Sequence, residues 1–343
     1  MKKILVTGGC GYIGSHTIVD LIDHGFDVIS IDNHYNSSPE VLNGIEKITG
    51  QKVINYPINI CDLADSRQVF QDNPEIVGVI HFAALKAVGE SVDKPLLYFQ
   101  NNLGSLLNIL QCMKEFKVKN LIFSSSCSAY GNADHLPVTE KTPFQEAESP
   151  YARTKQMGEY ILQDFSTKHR DYNCISLRYF NPAGAHESAI IGESPVNNAS
   201  NLVPVITSVA IGKREKLTVF GDDYDTRDGS CIRDYIHVMD LANAHTKAIQ
   251  YVLANKNQSN SEVFNLGIGE GVSVLEAIKA FEKINQLKLN YEIGPRRPGD
   301  VVAIYANYEK AAKLLGWHPS RNIFDIMKTA WDWEKVRSQH PVT

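Results

Sequence analysis

Short apolar runs alternate along the first half of the chain with segments whose apolar residues recur every three or four positions, the pattern of strands interleaved with amphipathic helices. Residues 3–6 form the first run; glycine-rich sequence follows, and then Ile18, Leu21 and Ile22 fall at helical spacing until Gly25. Further strands are predicted over 28–31, 52–56, 77–82, 120–123 and 174–179, with helices over 97–113 and 151–169 among the connections. Such alternation implies parallel strands. The expected fold is therefore α/β, a doubly wound parallel sheet (Rossmann) in the order 3-2-1-4-5-6, with ligands outside the carboxyl ends of the strands.

Past Asn181 the alternation fails. A loop over 182–201, a helix over 202–211, a strand over 217–220 and an acidic turn at Asp223-Tyr224-Asp225-Thr226-Arg227-Asp228-Gly229 open a second, smaller α/β domain. That turn has arginine at the third ligand position of a calcium loop and its glycine one place late, so it reads as a solvated acidic turn. A helix over 238–255 and a strand over 263–266 return to the sheet pattern. The expected division is a Rossmann domain over 1–181 rejoined by 236–268, and a substrate domain from 182–235 and 269–343.

Composition narrows the class. With 343 residues, 43% hydrophobic and 21% charged, the chain can bury a sizeable core, and 39 acidic against 34 basic residues give a net charge of -5 with no basic footprint for nucleic acid. No run approaches the ~20 apolar residues of a membrane span, and the first residues are too short an apolar stretch for a signal-peptide core. Six cysteines without a Cys-x-x-Cys pair suggest no metal site or disulfide framework, and a reducing cytoplasm.

The chemistry begins at Gly8, Gly11 and Gly14, a Gly-x-x-Gly-x-x-Gly between strand and helix whose first spacing is one residue longer than the usual dinucleotide fingerprint. Glycines there let a pyrophosphate approach backbone N–H groups at a helix N-terminus. Asp32, at the end of the second strand, can accept from both ribose hydroxyls and would repel a 2′-phosphate, which argues for NAD over NADP. Tyr151 and Lys155 fall one turn apart on the helix after Ser149-Pro150. An ammonium beside a phenol lowers its pKa from about 10 and makes it a usable base. Ser126, at the end of Ser124-Ser125-Ser126, could hydrogen-bond the same reacting hydroxyl; the blander reading is a serine capping the strand end. Residues 295–300 form a proline-bounded loop whose Arg296 and Arg297 suit a diphosphate.

Taken together, Thr7-Gly8-Gly9-Cys10-Gly11-Tyr12-Ile13-Gly14, the three serines and Tyr151-x-x-x-Lys155 resemble the extended short-chain dehydrogenase/reductases. Asp32-Asn33-x-x-Asn36-Ser37, Leu85-Lys86-Ala87-Val88-Gly89-Glu90-Ser91, Leu177-Arg178-Tyr179-Phe180-Asn181-Pro182-x-Gly184-Ala185 and Arg233-Asp234-Tyr235-Ile236-His237-Val238-Met239-Asp240-Leu241 resemble, within them, the UDP-glucose 4-epimerase family over nearly the whole chain. The resemblance implies an isomerase that interconverts UDP-galactose and UDP-glucose through transient NAD-dependent oxidation at C4′, with activity on UDP-N-acetylhexosamines left open. It makes Tyr151, Lys155 and Ser126 the catalytic residues. It assigns Gly8, Gly11, Tyr12, Ile13 and Gly14 to the cofactor pyrophosphate and Asp32, Asn33, Asn36 and Ser37 to adenosine. Asn59, Ile60, Phe82, Ala83, Ala84, Lys86, Asn101, Tyr179 and Phe180 would complete the cofactor site together with the catalytic residues. The UDP-sugar would meet Lys86, Ser126, Tyr151, Asn181, Asn201, Leu202, Thr218, Val219, Phe220, Arg233, Arg297, Asp300 and Ile304.

Departures from the family pattern include Asn59 in place of an aspartate, and Ile304 where a bulky tyrosine or a small residue is associated with rejecting or admitting N-acetylated sugars. A 4,6-dehydratase of the same superfamily places an Asp-Glu pair after the strand-end hydroxyl; here Cys127-Ser128-Ala129 follows Ser126. A non-catalytic dinucleotide sensor would not need Ser126, Tyr151 and Lys155 together. The resemblance also implies a homodimer packed through helices such as 97–113 and 151–169, with no nucleic-acid or membrane partner.

Overall fold

The computed structural model describes residues 1–194, 201–297 and 300–339. Residues 195–200 of the predicted 182–201 loop and Pro298-Gly299 of the arginine-bearing loop lie outside them. Strands β1 (Lys3–Thr7), β2 (Asp27–Ile31), β3 (Ile54–Tyr56), β4 (Ile76–His81), β5 (Asn120–Ser126) and β6 (Asn173–Tyr179) stand in the order β3-β2-β1-β4-β5-β6, all parallel. A seventh strand, Ser261–Leu266, pairs parallel with β6. The predicted order holds, extended by one strand at the β6 edge.

The sheet forms because its strands are apolar on both faces. Successive side chains point to opposite sides, so Ile4 and Val6 of β1 enter one core with Ile18, Leu241, Ile249 and Trp317, while Leu5 enters the other with Phe70, Ile109, Met113 and Leu162. The crossovers are α1 (Tyr12–Asp23), α2 (Glu40–Thr49), α3 (Leu63–Asp72), α4 (Val88–Asp93) with α5 (Pro95–Phe116), and α6 (Pro150–Lys168). The start of α6 is fixed twice: Ser149 Oγ accepts from the Ala152 N–H at 3.2 Å, and Pro150 occupies the first turn, where a missing N–H costs nothing. That start sets where Tyr151 and Lys155 stand.

Helices Leu202–Ala210, Val274–Asn285 and Ile323–Gln339 build a second core around Val203, Ile206, Phe281 and Met327. The strand Leu217–Phe220 pairs with Tyr291–Gly294, and Ile232–Arg233 pairs with Ala303–Ile304 so that Arg233 and Ile304 are register partners. The two parts interlock. Tyr235–His237 pairs parallel with Asn181–Ala183 just beyond β6, and Trp317, from the C-terminal segment, joins the core under the sheet and donates to the Asp240 carbonyl at 2.9 Å.

The acidic turn is exposed at Asp223, Asp225 and Arg227, as its solvated reading expects, and is also tied down by ion pairs. Asp223 accepts from Arg296 Nε at 2.7 Å, Arg227 pairs with Glu276, and Asp228 accepts from Ser230 and Ser273. Arg296 is committed to this turn, lying 4.2 Å from the Tyr224 ring centroid, so only Arg297 of the predicted diphosphate pair faces elsewhere.

Candidate active site

At the carboxyl end of β1 the chain turns through Gly8, whose φ of 70° and whose approach to Ala83 leave no room for a Cβ. A Cβ on Gly14 would lie 2.2 Å from the Gly8 carbonyl oxygen. Gly11 is the N-cap of α1 without a side-chain cap, so the first N–H groups of that helix are presented beside the turn. Tyr12 donates to the Gly184 carbonyl at 2.6 Å, which ties the turn to the chain beyond β6.

Asp32 lies at the end of β2. One of its oxygens accepts from the Cys10 N–H at 3.0 Å and the other from the His34 N–H at 2.9 Å and the Ser37 hydroxyl at 2.8 Å. A carboxylate offers about four lone-pair sites, so this carboxylate is oriented and still able to accept from a ribose hydroxyl. Asn33 accepts from the Tyr35 N–H and is exposed, as is Asn36. Asn59 Oδ1 accepts from the Cys61 N–H at 3.0 Å. Ile60 is buried in the core, and its carbonyl accepts from the Ser66 hydroxyl at 3.1 Å and from Asn108 Nδ2 at 3.0 Å.

Phe82, Ala83 and Ala84 follow β4, with the Phe82 ring 4.7 Å from that of His245. Asn101 on α5 donates to Asn102 Oδ1 at 3.0 Å, and Asn102 in turn bonds Leu85 and Thr154, joining the post-β4 loop, α5 and α6. Lys86 is exposed and pairs with Glu193 at 3.4 Å.

The centre lies where β5 meets α6. Lys155, only 4% exposed, donates from Nζ to the Ser124 carbonyl at 2.6 Å and to Ser124 Oγ at 3.2 Å. Burial pushes its ammonium down to about 8, opposed by the charge of Glu159 one turn on. Tyr151 is pushed up to about 12, chiefly by burial; a hydrogen bond with Ser126 pulls the other way. Lys155 Nζ lies 5.7 Å from the Tyr151 ring centroid and is held by the strand. Ser126 does cap, accepting from the Ser128 N–H at 3.2 Å at the head of a short turn, yet it also reaches Tyr151.

Beneath this centre Glu159 of α6 accepts from Arg178 of β6 at 2.8 and 2.6 Å and from Ser125 of β5 at 2.5 Å. No sequence motif reports this buried ion pair. Its signal was there, since a charged residue in the apolar run of β6 needs a buried partner.

Asn181 follows Tyr179 and Phe180, and its Oδ1 is buried without a hydrogen-bond partner among the described residues. Asn201 precedes helix Leu202–Ala210, but its side chain does not cap it; Nδ2 donates to Glu193 at 3.1 Å. Leu202 packs on the second core, and Val219 is buried there, leaving Thr218 and Phe220 as the more exposed side chains of their strand. Arg233 is not a surface partner of Asp234. It donates to the Val301 carbonyl at 2.6 Å and approaches Asp300 at 3.4 Å, while Asp300 also accepts from Arg297 at 2.7 Å. Arg297 lies 5.5 Å from the Phe220 ring. Ile304 is buried in a cluster with Tyr130, Val138, Phe180 and Ala306. The predicted residues thus form a centre at Ser126, Tyr151 and Lys155, a group at Arg233, Arg297 and Asp300, and a pair, Lys86 and Asn201, bridged by Glu193.

A family model described as GDP-mannose 4,6 dehydratase matches residues 5–330. A UDP-glucose 4-epimerase of Haemophilus influenzae is 47% identical over 332 residues, 97% of each chain. Among solved structures, the UDP-glucose 4-epimerase of Bifidobacterium longum in complex with NAD+ and UDP is 46% identical with a TM-score of 0.93, covering 99% of both chains. The enzyme of Stenotrophomonas maltophila, with bound NAD and formylated UDP-arabinopyranose, is 42% identical with a TM-score of 0.95 and the same coverage.

Proposed function

The chain belongs to the family that the GDP-mannose 4,6 dehydratase model describes and, within it, to the UDP-glucose 4-epimerases, and from that premise we propose that it interconverts UDP-galactose and UDP-glucose by transient oxidation at C4′. The observation that carries the reading is the meeting of Ser126, Tyr151 and Lys155 at the strand ends beside the glycine turn. NAD fits: the crowded Gly8 and Gly14, the free N–H groups of α1 and the oriented Asp32 carboxylate suit its pyrophosphate and adenosine ribose. When bound, NAD would supply the hydride acceptor and, oxidised, a positive charge that favours the Tyr151 phenolate.

Tyr151 takes the proton of the 4′-hydroxyl, and Ser126 hydrogen-bonds that hydroxyl. Lys155, anchored at Ser124, places a fixed positive charge behind the phenol. The 4-keto sugar must then turn over and receive hydride on its other face. Arg233 and Arg297 hold the diphosphate, with Asn181, Asn201, Leu202 and residues 218–220 around the nucleotide, so that the hexose is gripped less firmly than the UDP. Asp300 keeps both guanidinium groups together. The dehydratase description is not favoured, because Cys127, Ser128 and Ala129 supply no carboxylate after Ser126.

The NAD domain is taken as 1–181 with 236–268 and the UDP-sugar domain as 182–235 with 269–343, except that helix Glu309–Leu315 and Trp317 pack with the sheet. A homodimer is supported by the exposed Val88, Val92, Leu96, Leu107 and Tyr160 on α4, α5 and α6. A cytoplasmic location is supported by six free cysteines; among the described residues no helix is long and apolar enough to cross a membrane. The deciding experiment incubates the NAD-bound protein with UDP-galactose and no added reductant. UDP-glucose should form; a 4-keto-6-deoxy product would replace the reading with dehydration, and no turnover of any UDP-hexose would leave a dinucleotide-binding protein.

A further inference from the structure

Arg233 stands on a strand of two residues, and so does its register partner Ile304, a pairing too short to fix a guanidinium by itself. The next residue, Asp234, is fully buried. Its Oδ1 accepts from the Ile268 N–H at 2.8 Å, and its Oδ2 accepts from the Gly269 N–H at 3.2 Å and the Ala306 N–H at 3.0 Å. Its backbone carbonyl accepts from the Asn181 N–H at 2.9 Å. All four donors are backbone N–H groups, so the direction of each bond is fixed. Gly267 crowds the same carboxylate, since a Cβ there would lie 2.3 Å from Oδ2.

These bonds join three segments to the end of the Arg233 strand. Ile268 and Gly269 follow the strand Ser261–Leu266 at the edge of the main sheet, Ala306 lies just beyond Ile304, and Asn181 follows β6. One residue therefore ties the seat of Arg233 to the strand of Ile304 and to the sheet that carries Ser126. Resting on the epimerase reading, which gives Arg233 the diphosphate, we propose that Asp234 is a positioning residue for the UDP-sugar, acting through Arg233 by fixing its place relative to β5 and β6. The role requires a carboxylate. An asparagine has one acceptor oxygen, so it serves either Ile268 or the Gly269 and Ala306 pair, and its NH2 group then faces an N–H.

Asp234→Asn and Gly267→Ala are compared with the wild type as NAD-bound holoenzymes, with UDP titrated by calorimetry. Both should bind UDP about tenfold more weakly and keep NAD, the first by unpairing an N–H group and the second by displacing Oδ2 from the other side. KM for UDP-galactose should rise in step, with kcat within about threefold of wild type. A double-mutant cycle isolates the route: in an Arg233→Ala background Asp234→Asn should cost less than about threefold in UDP affinity, because the residue it positions is gone. A carboxylate that only braced the fold would lower the melting temperature and leave UDP affinity unchanged, or weaken it equally in both backgrounds; either result would overturn the proposal. If Asp234→Asn does not fold, Gly267→Ala carries the same cycle. The binding measurement needs no turnover. UDP losses as stated in a protein that epimerises no UDP-hexose support the role of Asp234 and sink the epimerase reading, whereas unchanged affinities in a protein that turns over UDP-galactose refute the role and keep the reading.

Discussion

Lys155 Nζ donates to the Ser124 carbonyl oxygen at 2.6 Å, so the ammonium is held by the end of β5 rather than by the phenol one helical turn before it. A buried cation is thereby fixed at a defined place behind Tyr151, at a cost in desolvation that the fold carries permanently. That cost has a measurable pH signature.

In the unfolded chain Lys155 keeps its proton up to 10.5, in the folded chain only up to about 8. Between those values the unfolded state binds more protons, so this group's contribution to stability is lowest below the folded value and rises with pH across the window. Wild type should gain stability relative to Lys155→Met between about pH 7 and about pH 10 in urea unfolding. A constant difference between the two proteins would show that the lysine is not depressed.

Tyr151→Phe keeps the ring and removes the proton carrier. Turnover of UDP-galactose should fall by about 10²–10⁴-fold while bound NAD stays at the wild-type level. Near-normal kcat in this variant would take Tyr151 out of the reaction.

Asp32→Ala strips an oriented acceptor from the Cys10 and His34 N–H groups and the Ser37 hydroxyl. NAD affinity should drop by roughly ten- to a hundredfold, and the preference for NAD over NADP should shrink. Titration calorimetry with both dinucleotides measures the two effects together, and an unaltered preference would count against Asp32 as the discriminator.

Gly14→Ala places a methyl 2.2 Å from the Gly8 carbonyl oxygen, which is backbone and cannot swing away. The turn must shift, at about 1–3 kcal/mol of stability, and NAD should bind more weakly. Denaturation midpoints with and without NAD separate the two losses; a variant as stable and as tight as wild type would mean that the turn is not so crowded.

Ile304 is 5% exposed and packs with Tyr130 and Phe180. A tyrosine does not fit that space, so Ile304→Tyr should project toward the sugar and reduce turnover of UDP-N-acetylglucosamine more than that of UDP-glucose. Equal ratios in the two proteins would remove Ile304 from substrate choice.

The sheet was legible because its strands are short, nearly continuous apolar runs, and the glycine turn, Asp32 and Tyr151 follow them at recognisable distances. Helix α3 was not, since it buries only Ser66, Val69 and Phe70, too sparse a stripe to show a period, whereas α2 carries Val41, Leu42, Ile45 and Ile48 at helical spacing against the core. Side-chain partnership was the least legible layer. Arg296 and Arg297 are adjacent and look equivalent in the sequence, yet one turns to Asp223 and the other to Asp300. The spacing of Tyr151 and Lys155 gave their shared helix face but not the competition for the ammonium, because the Ser124 carbonyl is a backbone group that no side-chain motif reports.

Arg233 and Ile304 are register partners on neighbouring strands, so the residue proposed to hold the diphosphate and the one proposed to set substrate choice belong to one short ladder. A change in the size of residue 304 therefore bears directly on the strand that carries Arg233.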